Sequence, residues 1–362
     1  MSSPYFMLKV VEITRETSDA ITIHLEHPDK KTIPYKAGQF LTLIIPIEGK
    51  KVRRSYSLCS APTEGARLSV TVKRVEGGLV SNYLIDNLKV GQEIEVMEPI
   101  GNFNLVPDAN TNRQVVLFGA GSGITPLMSM LKTALQEEPN TKVALLYGNR
   151  NEDSVIFKQQ LEELEAAHPD RLHVEYIYSQ PQHDCEHRGR MNQSMILKIL
   201  QRLQLTKPAE ALYYMCGPDG MMDEARKALN LLHVPTDRVF RESFVSNKLI
   251  EQQEQQAQHG DVSSSDDDGE IKTQTVTIIY EGAEYSVEVQ PDQTILEAAL
   301  DQDVDLPYSC QAGLCTACRG KCLSGKVHLD EREGLSDAEL DEGYVLNCVG
   351  HPLTDNVVIE IG

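Results

Sequence analysis

The 362-residue chain has no apolar run of the about 18 residues that a membrane-crossing helix needs, so none is expected. Basic charge is in short supply. Against 54 Asp and Glu stand 34 Lys and Arg, a formal net charge of −20. Nucleic acid and anionic membrane surfaces are therefore not expected as partners. The opening segment, MSSPYFMLKVVEITRET, lacks a basic flank followed by a long apolar stretch. No secretory signal is expected from it, and the expected compartment is the cytoplasm. In that setting the eight cysteines read as metal ligands and reduced thiols, not as disulfides. A second CxxC pair is missing, and so is G-x-G-x-x-G. The first absence disfavours a two-knuckle zinc site, and the second removes a Rossmann turn read from spacing alone.

What the chain does have, toward its far end, is Cys310, Cys315, Cys318 and Cys348 in the pattern C-x4-C-x2-C-x29-C. That spacing matches plant-type [2Fe–2S] ligation and only part of the zinc template. The loop from Cys310 to Cys318, CQAGLCTAC, is built largely of small residues. Small residues let backbone N–H groups turn toward the cluster sulfides and stabilise their negative charge. Such a centre moves one electron at a time, so the chain is expected to lie on an electron-transfer path. Cys322 reads as a packed thiol.

Composition divides the chain. Residues 246–273 are rich in Gln, Ser and Asp and poor in apolar side chains, so they read as a linker. A coil of about 25 residues spans roughly 25–30 Å and would tether whatever follows. Before it, residues 1–108 read as an all-β domain, a small antiparallel barrel with strands near Leu8–Ile13, Ile21–Glu26, Phe40–Ile45, Arg54–Cys59, Leu68–Val75 and Glu93–Met97. A helix near Val80–Leu88 interrupts it. Residues 109–245 read as α/β with a parallel sheet, from short apolar strands at Val115–Phe118, Val143–Tyr147, Val174–Tyr178 and Leu212–Met215. Helices are expected at Pro126–Gln136 and Phe157–Ala167. Residues 274–362 read as an α+β domain of β-grasp type, with a hairpin across Gly282, a helix opened by a capping box at Thr294 and Glu297, and a returning strand at Asn356–Ile361. The acidic surface of this last domain suits a basic partner face.

Four motifs carry chemistry. Arg54-Ser55-Tyr56-Ser57 ends a barrel strand, where an arginine can meet a phosphate, a tyrosine can stack on a flavin ring and Ser57 can hydrogen-bond the flavin N5. Val72-Lys73-Arg74-Val75-Glu76-Gly77-Gly78-Leu79-Val80-Ser81 runs from a strand through two glycines into a helix. Backbone N–H groups at such a helix start reach a pyrophosphate, and Ser81 adds a hydroxyl. Gly119-Ala120-Gly121-Ser122-Gly123-Ile124-Thr125-Pro126 lies between a strand and a helix, the context of a nucleotide-phosphate turn, and directs Thr125 toward a flavin or nicotinamide ring. Met215-Cys216-Gly217-Pro218-Asp219-Gly220 ends a parallel strand, where ligands bind open α/β sheets. Cys216 is small enough to pack on a nicotinamide without blocking hydride approach. The segment HDCEH, with His183, Cys185 and His187, lacks a fourth metal ligand nearby.

Together RSYS, VKRxxGGxxS, GAGSGITP, YGNR and CGPDGMM resemble the ferredoxin–NADP+ reductase superfamily over residues 5–245. With the cysteine-bearing domain behind them, the order flavin, nicotinamide, iron–sulfur resembles the reductase subunits of phenylacetyl-CoA epoxidases. The stretches LPYSCQAGLCTACRGKC and GYVLNC carry that likeness further. The resemblance implies FAD held by Arg54, Ser55, Tyr56 and Ser57, with Val72, Lys73, Gly78, Leu79, Val80 and Ser81 lining its adenosine and pyrophosphate side. It implies pyridine nucleotide held by Gly121, Thr125, Arg150, Cys216, Gly217 and Pro218. Glu242 and Phe244 match the segment that approaches the flavin's other side, and Ser57, Cys216 and Glu242 would stand at the reaction centre. Here that segment leads into a linker. Gln311 stands where many ferredoxins carry a basic residue. Arg150 follows a parallel strand where a cation would meet a 2′-phosphate, although Glu152 and Asp153 lie close by, so NADPH is expected rather than NADH.

The implied activity is an NAD(P)H-dependent oxidoreductase passing electrons from NADPH through FAD and [2Fe–2S] to a di-iron oxygenase, the phenylacetyl-CoA ring epoxidase. A reductase for another acceptor, such as a hybrid-cluster protein, shares the domain order. A redox-sensing or interaction protein with an inactive reductase core is the alternative from another class, and the intact RSYS, Gly-Gly-Ser and CGP motifs argue against it.

Overall fold

The computed structural model describes residues 5–47, 49–203, 208–244, 272–308, 311, 313, 315–332 and 334–361. Cys310 and residues 246–271 of the expected linker lie outside these. Two compact units divide the chain, the first ending at Phe244.

The first half of that unit is antiparallel. Strands β1 (Tyr5–Thr17), β2 (Ala20–Glu26), β3 (Phe40–Ile47), β4 (Lys50–Ser57), β5 (Arg67–Lys73) and β6 (Glu93–Ile100) form a six-stranded sheet in the order β4-β3-β6-β1-β2-β5. The sheet curls until Leu58, just past β4, bridges Val70 of β5, and Cys59 N–H donates to the Ser69 carbonyl at 2.8 Å. Leu8, Val10, Ile21, Ile23, Leu25, Leu43 and Val96 fill the inside. β1 is longer than the run expected at Leu8–Ile13. Irregularities at Val10/Glu12 and Arg15/Thr17 bend it, so its start pairs with β6 and its remainder with β2. Helix α1 (Leu79–Asn87) follows β5.

The second half is a parallel sheet in the order β10-β9-β8-β7-β11-β12. Its strands are β7 (Gln114–Ala120), β8 (Lys142–Asn149), β9 (Leu172–Tyr178), β10 (His187–Arg188), β11 (Leu212–Cys216) and β12 (Val239–Glu242). β10 and β12 were not anticipated, being too short to show a period. Between them run α2 (Ile124–Glu137), α3 (Lys158–Ala167), α4 (Gln193–Arg202) and α5 (Asp219–Leu231). α2 is buried along nearly its whole length, polar residues included, because one side meets the sheet and the other meets the barrel. Ser129 Oγ donates to the Ser60 carbonyl at 2.6 Å, and the Lys132 ammonium pairs with Glu64 at 2.8 Å. Both contacts tie α2 to the segment that follows RSYS.

The second unit has a five-stranded sheet in the order β14-β13-β19-β15-β17 and a small β16-β18 pair. Its elements are β13 (Gln274–Tyr280), β14 (Ala283–Val289), α6 (Ile295–Asp301), β15 (Arg319–Ser324), β16 (Val327–Leu329), α7 (Asp337–Asp341), β17 (Tyr344–Leu346), β18 (Gly350–Pro352) and β19 (Val358–Ile361). The β13–β14 hairpin turns through Glu281 and Gly282, both at positive φ, the two-residue turn that matches strand twist. The Thr294/Glu297 capping box forms as expected. Among the described residues no helix is long and apolar enough to cross a membrane.

Candidate functional site

The flavin-side residues gather on β4, β5 and α1. Arg54, Ser55, Tyr56 and Ser57 end β4, with Ser57 buried, Tyr56 half-buried and the Arg54 guanidinium turned back on the Arg53 carbonyl at 2.7 Å. Val72 is buried at the end of β5 and the Lys73 ammonium stands 3.8 Å from Asp19. Gly77 has φ +73, and Gly78 caps α1 in extended conformation. The Ser81 hydroxyl is buried and accepts from Val75 N–H at 3.1 Å, which does not use its own hydrogen. Val80 is buried and Leu79 is exposed. The early N–H groups of α1 have no partner within the helix, so a helix start without a side chain at Gly78 suits an anionic pyrophosphate.

This loop has braces that sequence reasoning missed. Asn82 Nδ2 donates to the Val75 carbonyl at 3.0 Å, and Arg74 binds both Asn82 and Asp86 at 2.6 Å. A Cβ at Gly78 would sit 2.8 Å from Ser81 Oγ and 3.0 Å from Val75 Cβ. Gly78→Ala is expected to displace Ser81 and weaken FAD binding by about tenfold, equivalent to ~1.4 kcal/mol. Fluorescence titration of the apoprotein with FAD measures this, and unchanged affinity would remove the loop from the site.

The nucleotide-side residues meet at the C-terminal ends of the parallel strands. β7 leads into a tight turn at Gly121–Gly123, with φ +55 at Gly121. A Cβ at Gly123 would lie 2.1 Å from the Cys216 carbonyl oxygen, and one at Gly217 2.7 Å from Met221 Cε. The GAGSG and CGP turns therefore touch backbone to backbone. Pro218 caps α5, and its carbonyl accepts from Met221 and Met222. Cys216 pairs in register with Glu242 of β12, where Ser243 Oγ donates to Asp219 at 3.1 Å and Phe244 is largely exposed.

Two of these residues are buried. Thr125 donates its hydroxyl to the Ser122 carbonyl at 3.0 Å and so shapes the turn. Cys216 is fully buried at the end of β11, and burial, with the Glu242 charge second, holds its thiol well above the usual range. The thiol stays neutral and brings no negative charge to the turn. Tyr147, which opens the YGNR stretch but was given no role from sequence, donates its hydroxyl to the Gly121 carbonyl at 2.9 Å and so holds the turn.

Arg150, just beyond β8, is exposed. Its acidic neighbours bond to the segment at residues 182–183: Glu152 accepts from the N–H groups of Gln182 and His183, and Asp153 from the Gln182 side chain at 2.9 Å. In the HDCEH segment His187 meets Glu175 at 3.0 Å, and Arg202 binds both Glu175 and Glu186. These carboxylates already have a cation.

In the second unit Cys315, Cys318 and Cys348 are buried and stand outside any disulfide. The cysteine loop takes left-handed backbone at Gln311 (φ 54) and Gly313 (φ +71), a conformation that glycine adopts without strain. Gly334 N–H donates to the Gly313 carbonyl at 2.8 Å, and a Cβ on Gly334 would lie 2.6 Å from that oxygen. Asn347, beside Cys348, donates to the Cys318 carbonyl through both Nδ2 (2.8 Å) and backbone N–H (3.2 Å). Two cysteine-bearing segments distant in sequence are thereby joined, and buried thiols in this setting fit an iron–sulfur cluster. Cys322 lies on β15 with its thiol donating to the Ser324 carbonyl at 3.2 Å, a packed thiol as expected.

Three domain-family models match: an oxidoreductase FAD-binding domain over residues 7–105, an oxidoreductase NAD-binding domain over 117–227 and a 2Fe-2S iron-sulfur cluster binding domain over 278–353. The chain is 35% identical to a subunit of the 1,2-phenylacetyl-CoA epoxidase of Escherichia coli (strain K12), over 98% of this chain and 97% of that protein. It is 36% identical to the ferredoxin reductase component of the 3-ketosteroid-9-alpha-monooxygenase of Rhodococcus rhodochrous, over 98% and 96%. Among solved structures, phthalate dioxygenase reductase shares the fold with a TM-score of 0.60 at 23% identity, covering 99% of this chain and all 100% of that one.

Proposed function

The chain belongs to the ferredoxin–NADP+ reductase superfamily, in its branch with a C-terminal 2Fe-2S domain, and from that premise we propose that it is the reductase component of a di-iron oxygenase that epoxidises phenylacetyl-CoA, drawing its electrons from NADPH. FAD, pyridine nucleotide and a 2Fe-2S centre are its cofactors. Full-length similarity to the E. coli epoxidase component, 35% over 98% of the chain, is the observation that carries the acceptor.

FAD, when bound, accepts two electrons at once from the reduced nicotinamide and gives them up singly, which a one-electron cluster requires. The protein's part is to bind and orient. In this reading the α1 start, with Gly78 and Ser81, holds the pyrophosphate, while Arg54, Tyr56 and Ser57 hold the flavin. Gly121, Gly217 and Pro218 line the nucleotide, and the neutral Cys216 and Glu242 flank the reacting rings. Cys310, Cys315, Cys318 and Cys348 ligate the cluster. Proposed domain limits are 1–108, 109–245 and 274–362, with a tether between the last two.

Arg150 supports NADPH, since it is an exposed cation at that strand end while Glu152 and Asp153 accept hydrogen bonds from residues 182 and 183. Arg150→Ala is expected to raise the KM for NADPH about tenfold with NADH little changed, the loss of one charge-assisted hydrogen bond at ~1.4 kcal/mol. Faster flavin reduction by NADH in the native protein would overturn the choice.

A second acceptor reading has its own support: the 36% identity to the ketosteroid monooxygenase reductase covers the chain equally well. Reconstitution separates them. The protein is combined anaerobically with the oxygenase components of each system and NADPH, then given oxygen and substrate. Coupled NADPH oxidation and phenylacetyl-CoA epoxide formation is the expected result. Turnover only with the ketosteroid oxygenase would replace the first reading.

A further inference from the structure

Glu16 lies near the end of β1 on the barrel side, yet its carboxylate reaches the nucleotide half. Oε1 accepts from the Thr22 hydroxyl at 2.6 Å, and Oε2 accepts from the backbone N–H of Phe157 at 3.3 Å. The Thr22 hydroxyl is itself 2.8 Å from that of Thr71, two residues before Lys73 on β5, and both threonines are buried. On the far side, Phe157 is a buried aromatic with φ 62 at the cap of α3. Left-handed backbone in a bulky residue is uncommon and persists where the surroundings enforce it, often at functional sites. Its neighbour Ile156 gives a backbone hydrogen bond to the Tyr147 hydroxyl, which donates to the Gly121 carbonyl. One polar chain thus runs from the glycine turn of the nucleotide half to the strand that carries the flavin-side loop.

We propose that Glu16 is a positioning residue for hydride transfer, holding the nucleotide half against the flavin half at the separation the transfer needs. The proposal rests on reading this unit as an NAD(P)H–FAD reductase. In that step the reduced nicotinamide loses a hydride, two electrons with one proton, and becomes oxidised NAD(P)+ while FAD takes up all three particles. Rates of such transfers fall steeply with sub-ångström misplacement of the reactants. The Lys132–Glu64 and Ser129–Ser60 contacts clamp α2 to the barrel, and Glu16 adds a tie from the barrel to the left-handed backbone at Phe157.

The test uses full-length holoprotein mixed anaerobically with NADPH in a stopped-flow instrument, following flavin bleaching across nucleotide concentrations. Glu16→Ala is expected to lower the limiting rate by about tenfold or more, with nucleotide Kd, flavin content and flavin spectrum unchanged. Glu16→Gln keeps an oxygen that accepts from Phe157 N–H and an amide that can meet the Thr22 hydroxyl, so it should restore most of the rate. A limiting rate in Glu16→Ala equal to the native one would overturn the proposal. So would equal losses of rate, flavin and thermal stability in both variants, which mark a merely structural carboxylate. No bleaching in the native protein would instead overturn the reductase reading itself.

Discussion

Cys318→Ser is expected to leave NADPH reduction of the flavin intact while abolishing transfer to the acceptor. Serine keeps the size of the side chain, and the backbone anchors here do not depend on the thiol: the Cys318 carbonyl is held by Asn347 through two hydrogen bonds at 2.8 and 3.2 Å. What disappears is a thiolate ligand, and a serine hydroxyl at neutral pH supplies neither its charge nor its softness. The loss should exceed the ~10–100-fold that changes to outer-shell partners of metal ligands produce. Iron and acid-labile sulfide content, cluster absorbance and acceptor turnover read it directly, beside flavin bleaching as the internal control. Full iron content with native acceptor turnover would remove Cys318 from the ligand set. The control is Cys322→Ser on the following strand β15, whose thiol bonds the Ser324 carbonyl and whose replacement should leave the cluster in place.

Gly123→Ala should remove NADPH-driven flavin reduction by a different route. The added Cβ would fall 2.1 Å from the Cys216 carbonyl oxygen and 2.5 Å from its carbon. Carbon contacts settle near 3.5 Å, and here both offending atoms are backbone at the end of a central strand. Ordinary overpacking costs about 1–3 kcal/mol, and a clash with backbone belongs at or beyond the top of that range. For a domain of this size 3 kcal/mol lowers Tm by roughly 6–12 °C. The variant should still bind FAD, and dithionite should still bleach it, because the clash lies in the nucleotide half. Gly220→Ala provides the comparison: nothing lies within 4 Å of its added Cβ, in the first turn of α5. That variant should keep both stability and activity. Native behaviour of Gly123→Ala would mean that the two turns do not meet as described.

Much of this molecule was legible because local chemistry is local in sequence. The reach of thiolates to iron sets the spacing of plant-type ligation, so the pattern that holds Cys315 and Cys318 is visible in the sequence, and Cys322 falls outside it. Strand-to-helix turns through glycine are equally short-range: Gly78 and the GAGSG turn were placed by context alone. The six barrel strands followed from alternation and turn residues, although the bends in β1 did not, since a bulge reflects which neighbour each half of the strand pairs with. The burial of Thr125 and Cys216 was not legible for a related reason: packing of α2 and the meeting of two turns enclose both.

By itself, then, the amino-acid sequence determined the domain classes and the cofactor types. Each of those depends on periodicity or on fixed spacing within a few residues. Only the tertiary structure decided that Gly123 lies against Cys216, that Tyr147 supports Gly121, and that Glu16 reaches Phe157. Those contacts exist because β11 lies beside β7 in the sheet and α2 packs on the barrel, a choice of neighbours made by burying apolar surface between elements far apart in the chain.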